Sequence, residues 1–415
     1  MCKRWWTLAL AGAMGVVAAA AQARELTLDA AVERTLERNA LLRAEGAAVA
    51  SVRRQAAADG LSPPMTIGGE LENVAGSGNV SGLHGAEATL RLGHVFELGG
   101  KRSARQAVGT AQIARQLNAV EQRRLDLAAT TTRRFIDVVT KQERLALAEQ
   151  SLALATASRQ AIAHRVQRGR SPEADLQLAE LAVVRAELEL EDATHDVASA
   201  RVALSVLWGD QQPDFDRAHG SLADLPEVAD LPSLAERLQR TPDHRAFALE
   251  SAQIDAQERL ALTSGKPDVH ASLGVRRLEA IDDQALVLSL SLPFGLSQRS
   301  TLAVQKQQAE RERIDHRRSE AELDAYQALF GRYQELQHAR HQVETLRDRM
   351  IPIADKALAS TQAGFEDARF SFLQVAQTRA VLLALRYDAI DAAARYHQLL
   401  AEIERATAVS GDLSR

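Results

Sequence analysis

Apolar residues recur at alternating steps of three and four positions between Leu176 and Leu207. The stripe runs without a break, and charged residues such as Arg185, Glu187 and Asp192 occupy many positions between its members. This alternation places apolar side chains along one narrow face of a helix, which is the pattern of a coiled-coil seam. The stripe therefore predicts a long helix that packs against another long helix.

A second copy of this stripe begins at Leu373 and keeps the same register up to Ala401. Self-similarity over such a distance indicates an internal repeat. We therefore divide the chain into repeats before assigning individual helices and strands. We predict a first structural repeat at 24–209, a linker at 210–232 and a second structural repeat at 233–415.

Each predicted repeat contains two short segments in which apolar and polar residues alternate, at 65–74 and 86–96 and again at 268–277 and 285–293. A period of two predicts strands with one apolar and one polar face. A position on the apolar face is expected to face lipid if the strands enter a membrane. The residues that we place there are Ala88, Leu90, Leu92, Leu286, Leu288 and Leu290.

Long helical patterns follow both strand pairs, from 101 to about 157 and from 296 to past 350. A helix of roughly 55 residues is roughly 80 Å long, far beyond the usual globular helix. Ser171 is the predicted N-cap of the seam helix, with Pro172 at its first position. Shorter helices are predicted before the strands, at 26–58 and at 233–263 with an interruption at Pro242.

The predicted fold class is mainly α with a small β part. Strands in lipid must close into a barrel, because an open edge leaves backbone polar groups unpaired at several kcal/mol each. Four strands cannot close alone, so several protomers would each supply four. The alternative is a small sheet beneath the helices of a soluble protein.

Composition supports long helices, because aromatic residues make up only 4% of the 415 residues and proline occurs only 10 times. The net charge of -5, with no basic cluster, argues against nucleic acid as a partner. No apolar run of 18 residues occurs after the N-terminal region, so no transmembrane helix is predicted.

The N-terminus has the pattern of a secretory signal peptide at 1–23. Lys3 and Arg4 precede an apolar run at 8–20, and Ala21-Gln22-Ala23 is a cleavage signal. The only cysteine, Cys2, would leave with this peptide. The mature chain is therefore expected to have no disulfide and no lipidation cysteine.

No catalytic or metal-binding motif stands out. Gly-rich phosphate loops, G-x-S-x-G and H-E-x-x-H are all absent from the sequence, so we predict no enzyme and no cofactor. His338 and His341 could share a helix face, but no third ligand is near them in the sequence, and solvated histidines are the preferred interpretation. His397 occupies a seam position and is expected to pack.

Six short motifs recur along the mature chain in a characteristic order. They are Leu26-Thr27-Leu28-Asp29, Glu97-Leu98-Gly99-Gly100-Lys101-Arg102, Leu204-Ser205-Val206-Leu207-Trp208-Gly209-Asp210, Lys266-Pro267-Asp268-Val269, Leu292-Pro293-Phe294 and Arg395-Tyr396-His397. Together they resemble one family, the TolC-like outer membrane efflux proteins, in their CzcC-like branch for cobalt, zinc and cadmium resistance. The resemblance covers the mature chain, and its strength lies in the order and spacing of the motifs.

The resemblance implies a homotrimer in the outer membrane of a Gram-negative bacterium. Four strands per protomer would form a 12-stranded barrel in the lipid, and the long helical hairpins would form a tunnel in the periplasm. Such a channel is the exit duct of a tripartite efflux pump. Its other members are a periplasmic adaptor protein and an inner membrane pump of the resistance-nodulation-division type.

Family members contact the adaptor through the turns between paired helices. The matching tip residues here are Arg165, Arg168, Gly169, Arg170, Ser171, Phe365, Ala368, Arg369 and Ser371. Ala368 stands where the family has glycine, which leaves the turn geometry open. The expected pore constriction lies at Glu366, Asp367, Gln374 and Gln377, and the two glutamines replace the acidic residues of relatives.

The predicted function is an outer membrane duct that exports divalent heavy-metal cations. One alternative within the same class is a duct for drugs or organic solutes, and a second alternative is a soluble periplasmic coiled-coil scaffold. Membrane fractionation separates the scaffold from the duct, and the cargo of the partner pump separates the two ducts.

Overall fold

The computed structural model describes residues 25–409, and the signal peptide predicted at 1–23 lies outside the described residues. Nine α-helices and six strands make up the described part. The helices are α1 (Leu28–Arg38), α2 (Ala40–Asp59), α3 (Lys101–Gln167), α4 (Glu173–Ser205), α5 (Leu231–Leu238), α6 (Pro242–Ser264), α7 (Ser297–Thr345), α8 (Ile351–Glu366) and α9 (Phe372–Thr407). The strands are β1 (Glu25–Leu26), β2 (Thr66–Glu72), β3 (Glu87–Phe96), β4 (Arg217–Ala218), β5 (Val269–Leu278) and β6 (Asp283–Ser291).

The four strands predicted from the alternating pattern form one antiparallel sheet in the order β2-β3-β5-β6. The two hairpins meet through β3 and β5, where Leu92 lies opposite Leu273. Strands β2 and β6 are the edges of this sheet, and neither has an outer partner in residues 25–409. The strand predictions are confirmed to within a few residues.

Helix α3 has 67 residues, which corresponds to roughly 100 Å of helix. The prediction that it ends near 157 is wrong. Ile162 is still buried in the apolar seam of this helix, so the helical pattern persists through the last ten residues. The chain reverses only at Gly169, whose φ of +67° suits glycine.

Two predicted helix boundaries need correction. The helix predicted over 26–58 is broken at Asn39, whose side-chain oxygen accepts from the backbone N–H of Leu41 at 2.8 Å and so starts α2. The N-cap of α4 is Pro172 and not Ser171, and no side chain caps this helix. Glu173 and Asp175 lie in its first turn, where their negative charges interact favourably with the positive end of the helix dipole.

The helix predicted to run past Met350 is confirmed, with an interruption that the sequence pattern does not reveal. A π-turn at Leu346–Met350 joins α7 to α8. Pro352 is the second residue of α8, and it lacks the backbone N–H that a continuous regular helix would use there.

The largest apolar core lies where the linker crosses the long helices. Trp208, Phe215 and Leu222 are buried against α3 and α9. Strand β1 pairs in parallel with β4, which fixes the start of the described chain against the linker. This short pair was not predicted, and the boundaries of the two repeats stay predictions.

The coiled-coil seam of α4 is confirmed. Ala179, Ala186, Ala200 and Leu204 are all buried on the side that packs against α3. Small residues at these positions let the two helices approach closely. The resulting hairpin α3–α4 is one of two helical hairpins in residues 25–409, and α8–α9 is the other.

Candidate functional site

The four-stranded sheet has one exposed apolar face. Directly opposed residues of a ladder share a face, and one such row contains Ile67, Leu92, Leu273 and Leu288. The structure places all six predicted lipid-facing residues on this face, and Leu286, Leu288 and Leu290 are each about 70% exposed. The sequence pattern missed the members contributed by β2 and β5.

The opposite face of the same sheet is polar and held by ion pairs. Arg276 pairs with Glu72 at 2.9 Å and with Glu87 at 2.7 Å, and Arg91 pairs with Glu70. An apolar face and an ionic face on one sheet are the pattern of strands that lie between an apolar phase and water.

Strand β3 turns into α3 through two glycines. Gly99 and Gly100 have φ of +77° and +80°, a conformation that costs other residues roughly 1–2 kcal/mol each. A Cβ on Gly99 would overlap the Cδ of Lys266. The predicted bend between strand and helix is confirmed.

Ion pairs and hydrogen bonds of charged side chains stabilise the junction between β3 and α3 on both sides. Lys101 donates to Asp268 at 2.7 Å across the sheet. Arg105 pairs with Glu97 through both carboxylate oxygens, at 2.5 and 2.9 Å, and also donates to the carbonyl of Leu61. The hydrogen bond from Arg105 lowers the pKa of Glu97, so this carboxylate stays ionised over a wide pH range.

Replacing Gly99 with Ala should lower the free energy of unfolding by about 2 kcal/mol or more, from backbone strain and the clash with Lys266. Denaturant titration of the purified protein measures this change. Gly46→Ala is the matched control, because nothing lies within 4 Å of its Cβ position in α2. This control should be neutral or stabilising. Equal effects of both substitutions would contradict the role of Gly99.

The second hairpin turns at Ala368, which adopts φ of +58°. Ala368 thus adopts a left-handed conformation that glycine would accommodate without strain. The backbone N–H of Arg369 donates to the carbonyl of Gly364 at 2.7 Å, which closes the turn. Gly364 is required beside it, because a Cβ there would overlap the ring of Phe370.

Ala368→Gly should stabilise the closed turn by about 1 kcal/mol, since glycine removes the strain. Hydrogen exchange of the turn amides should slow by about fivefold. Ala357→Gly provides the opposite control, because this exposed residue lies in regular helix, where glycine destabilises. Faster exchange at the turn in Ala368→Gly would argue against strain at this position.

Arg165 contacts the second hairpin and so joins the two hairpin tips within the protomer. The guanidinium of Arg165 lies 4.4 Å from the ring centroid of Phe365. Phe365 in turn lies 6.1 Å from Phe372, and Ile162 and Ala179 complete the small apolar cluster beneath them. No local sequence pattern indicates the contact of Arg165 with Phe365, since the two residues are 200 positions apart.

The remaining predicted tip residues are exposed at the two turns, except Ser171, which is half-buried. Arg168 and Arg170 form no ion pair with the described residues, whereas Arg369 pairs with Asp367 at 2.9 Å. Ser371 and Gln374 form a capping box at the start of α9, so Gln374 is engaged by its own helix. Glu366 and Gln377 are exposed. Their role in a pore constriction stays a prediction.

Within residues 25–409, no helix is long and apolar enough to cross a membrane. No three His, Cys, Asp or Glu side chains in the same residues are grouped to hold a metal ion. His397 packs edge-on against Tyr396 with ring centroids 5.7 Å apart. Burial lowers the pKa of His397, which favours its neutral form.

Comparison with known families identifies this arrangement. The sequence profile described as "Outer membrane efflux protein" matches residues 31–210, which contain β2, β3 and the first hairpin. This part of the chain therefore resembles outer membrane efflux proteins, as the sequence motifs predict. The match agrees with the predicted outer membrane efflux duct and does not favour an enzyme.

Two metal-resistance proteins of Cupriavidus metallidurans are relatives of this efflux protein. The cobalt-zinc-cadmium resistance protein CzcC is 29% identical over 325 residues, which are 77% of this chain and 76% of the relative. The nickel and cobalt resistance protein CnrC is 27% identical over 263 residues, or 62% of each chain.

The fold of this efflux protein also matches a solved channel. A crystal structure of CusC, described in terms of folding and transmembrane channel formation, superposes with a TM-score of 0.77 at 15% identity. The match covers 92% of both chains. The predicted fold class, mainly α with a small β part, is confirmed.

Proposed function

We propose that this efflux protein is the exit duct of a tripartite pump for divalent heavy-metal cations. The observation that carries the cargo assignment is the similarity to CzcC along about three quarters of both chains. CnrC, named for nickel and cobalt resistance, agrees with this class of cargo. The match of residues 31–210 to outer membrane efflux proteins favours a duct over the periplasmic scaffold.

The duct would be a homotrimer. The sheet of one protomer has free edges at β2 and β6, and an open edge in lipid costs several kcal/mol for each unpaired backbone group. Three copies joined edge to edge supply twelve strands and leave no edge. The polar face with Arg91 and Arg276 would then line a water-filled lumen.

The tips would contact the periplasmic adaptor. Arg168 and Arg170 present two exposed positive charges per protomer that have no ion partner among residues 25–409. An inner membrane pump of the resistance-nodulation-division type would supply energy and select the cargo. The duct itself would act passively, with its tip hairpins rearranging to open the path.

Survival of bacteria on metal salts tests this assignment. Cells that express the partner pump and adaptor should tolerate zinc, cobalt or cadmium only when this chain is also expressed. Tolerance of organic dyes or drugs, with metal tolerance unchanged, would point to the alternative cargo. Outer membrane assembly of the chain must be verified in the same cells, so that failed export is not confused with failed folding.

A further inference from the structure

The long helices of one protomer form a row, and the two helices at its ends each have a free side. Helix α4 packs against α3, α3 packs against α9, and α9 packs against α7. Helices α4 and α7 are not packed against each other within residues 25–409. In the homotrimer proposed above, closure of the tunnel brings α7 of each protomer beside α4 of the next.

Both free sides carry exposed apolar residues at helical spacing. They are Val184, Leu188 and Val206 on the side of α4, and Phe330, Met350 and Ile353 on the side of α7 and α8. Between 43% and 67% of the surface of each residue is exposed in the single protomer. A helix side of this kind is typical of a surface that another helix covers.

The internal repeat indicates how the two free sides meet. Leu336 of α7 is buried in the same way as Val138 of α3, which lies 198 positions earlier. The seam of α9 begins at Leu373, 197 positions after the seam of α4 begins at Leu176. The packing of α3 against α9 within a protomer therefore predicts the packing of α7 against α4 between protomers.

A contact observed within the protomer sets the register between protomers. Nε of Arg144 in α3 donates to Asp391 in α9 at 3.1 Å. The corresponding residues are Gln342 of α7 and Thr194 of α4, and both are exposed. The same register pairs the exposed apolar residues of the two free sides: Phe330 with Val206, Met350 with Leu188 and Ile353 with Val184. This agreement along the helices supports the register independently of Arg144.

Histidines interrupt both free sides at the same level. In α4, Nε2 of His195 lies 3.8 Å from Oε1 of Glu191, and both side chains are largely exposed. In α7, His338 and His341 are exposed about one helical turn apart, and neither forms an ion pair with a described residue. The register places His341 opposite His195 of the next protomer. Polar groups covered by an apolar interface require partners.

The charged neighbours of these histidines already have partners. Asp196 pairs with Lys141 at 2.7 Å, and Glu344 pairs with Arg340 at 3.1 Å. These two pairs leave Glu191 without a basic partner other than His195 among residues 25–409. The boundary therefore brings together three imidazoles and one carboxylate that lack another use.

We propose that His338 and His341 of one protomer, with Glu191 and His195 of the next, bind a divalent transition-metal ion such as Zn²⁺. Imidazole nitrogens and a carboxylate oxygen are zinc ligands, and four of them complete a tetrahedral site. The site requires two copies, because no such group occurs within residues 25–409 of one protomer. Three ions per trimer join neighbouring protomers and stabilise the tunnel wall. The inference rests on the proposed homotrimer and is independent of the exported cargo.

Cross-linking of engineered cysteines tests the register without metal. Background is low, because Cys2 is the only native cysteine and lies in the predicted signal peptide. His195→Cys with His341→Cys should yield covalent trimers after treatment with a short bis-methanethiosulfonate reagent. The control is His195→Cys with His316→Cys, since His316 is exposed far from His341 along α7. No linking in the first variant, or equal linking in both, would overturn the proposal.

Zinc titration of the metal-stripped trimer, purified without a histidine tag, tests the site itself. We expect one Zn²⁺ per protomer. His195→Asn and His341→Asn should each weaken binding by more than about tenfold, since even groups that only orient a metal ligand contribute that much. The control, His164→Asn with His316→Asn, removes two exposed histidines elsewhere and should bind normally. A trimer that binds no zinc, or binds it equally in all variants, would overturn the site and leave the duct. Failure to form any trimer would overturn the proposed duct as well.

Discussion

Leu288→Arg should abolish assembly of this protein in the outer membrane. Leu288 lies on the exposed apolar face opposite Leu273, near the middle of the strand. An arginine at the lipid midplane costs about 2–4 kcal/mol, and a trimer would incur this cost three times. The fraction of folded protein in outer membranes should fall by more than tenfold. Leu90→Arg on β3 should have the same effect.

Ser289→Arg is the matched control for Leu288→Arg. Ser289 is the next residue along β6, but its side chain is on the polar face, opposite Ser272. An arginine there would enter water and should leave assembly near the wild-type level. If both substitutions impaired assembly equally, the assignment of the two faces would be incorrect.

Charge reversal at the first tip should separate adaptor binding from channel assembly. Arg168→Glu with Arg170→Glu changes the tip by four charge units per protomer, at exposed positions without ion partners among residues 25–409. Site-specific cross-linking to the adaptor should fall strongly, because repulsion replaces attraction at a desolvating contact. The yield and size of the trimer should not change.

The control for this tip variant is Arg43→Glu with Arg53→Glu, which makes the same charge change on α2. Arg165 is excluded from the test because it stacks on Phe365 and joins the two hairpins. Undiminished cross-linking in the tip variant would remove Arg168 and Arg170 from the adaptor contact.

Elements that depend on a local period were predicted from the sequence. The seam from Leu176 to Leu207 and the alternating strands are patterns among neighbouring residues. They can therefore be recognised from one amino-acid sequence. The break at Asn39 was missed because one polar residue within a helical pattern is usually tolerated. The β1–β4 pair was missed because a strand of two residues has no period.

Some features of the functional surfaces can likewise be predicted from local sequence, and others cannot. The bend at Gly99 and the apolar face with Leu90 follow from local residue types. The contact of Arg165 with Phe365 depends on tertiary packing. This pair carries no sequence signal, because each residue by itself looks like an ordinary residue of a turn.

Mass and heat-dependent gel mobility of the detergent-extracted protein test trimer assembly in the outer membrane most directly. The outer membrane fraction is extracted in mild detergent, its mass is determined, and its gel mobility is compared before and after heating. We predict a detergent-stable trimer whose mobility changes on heating. A monomer recovered from the soluble periplasmic fraction would contradict the channel and leave only the repeated helical hairpins.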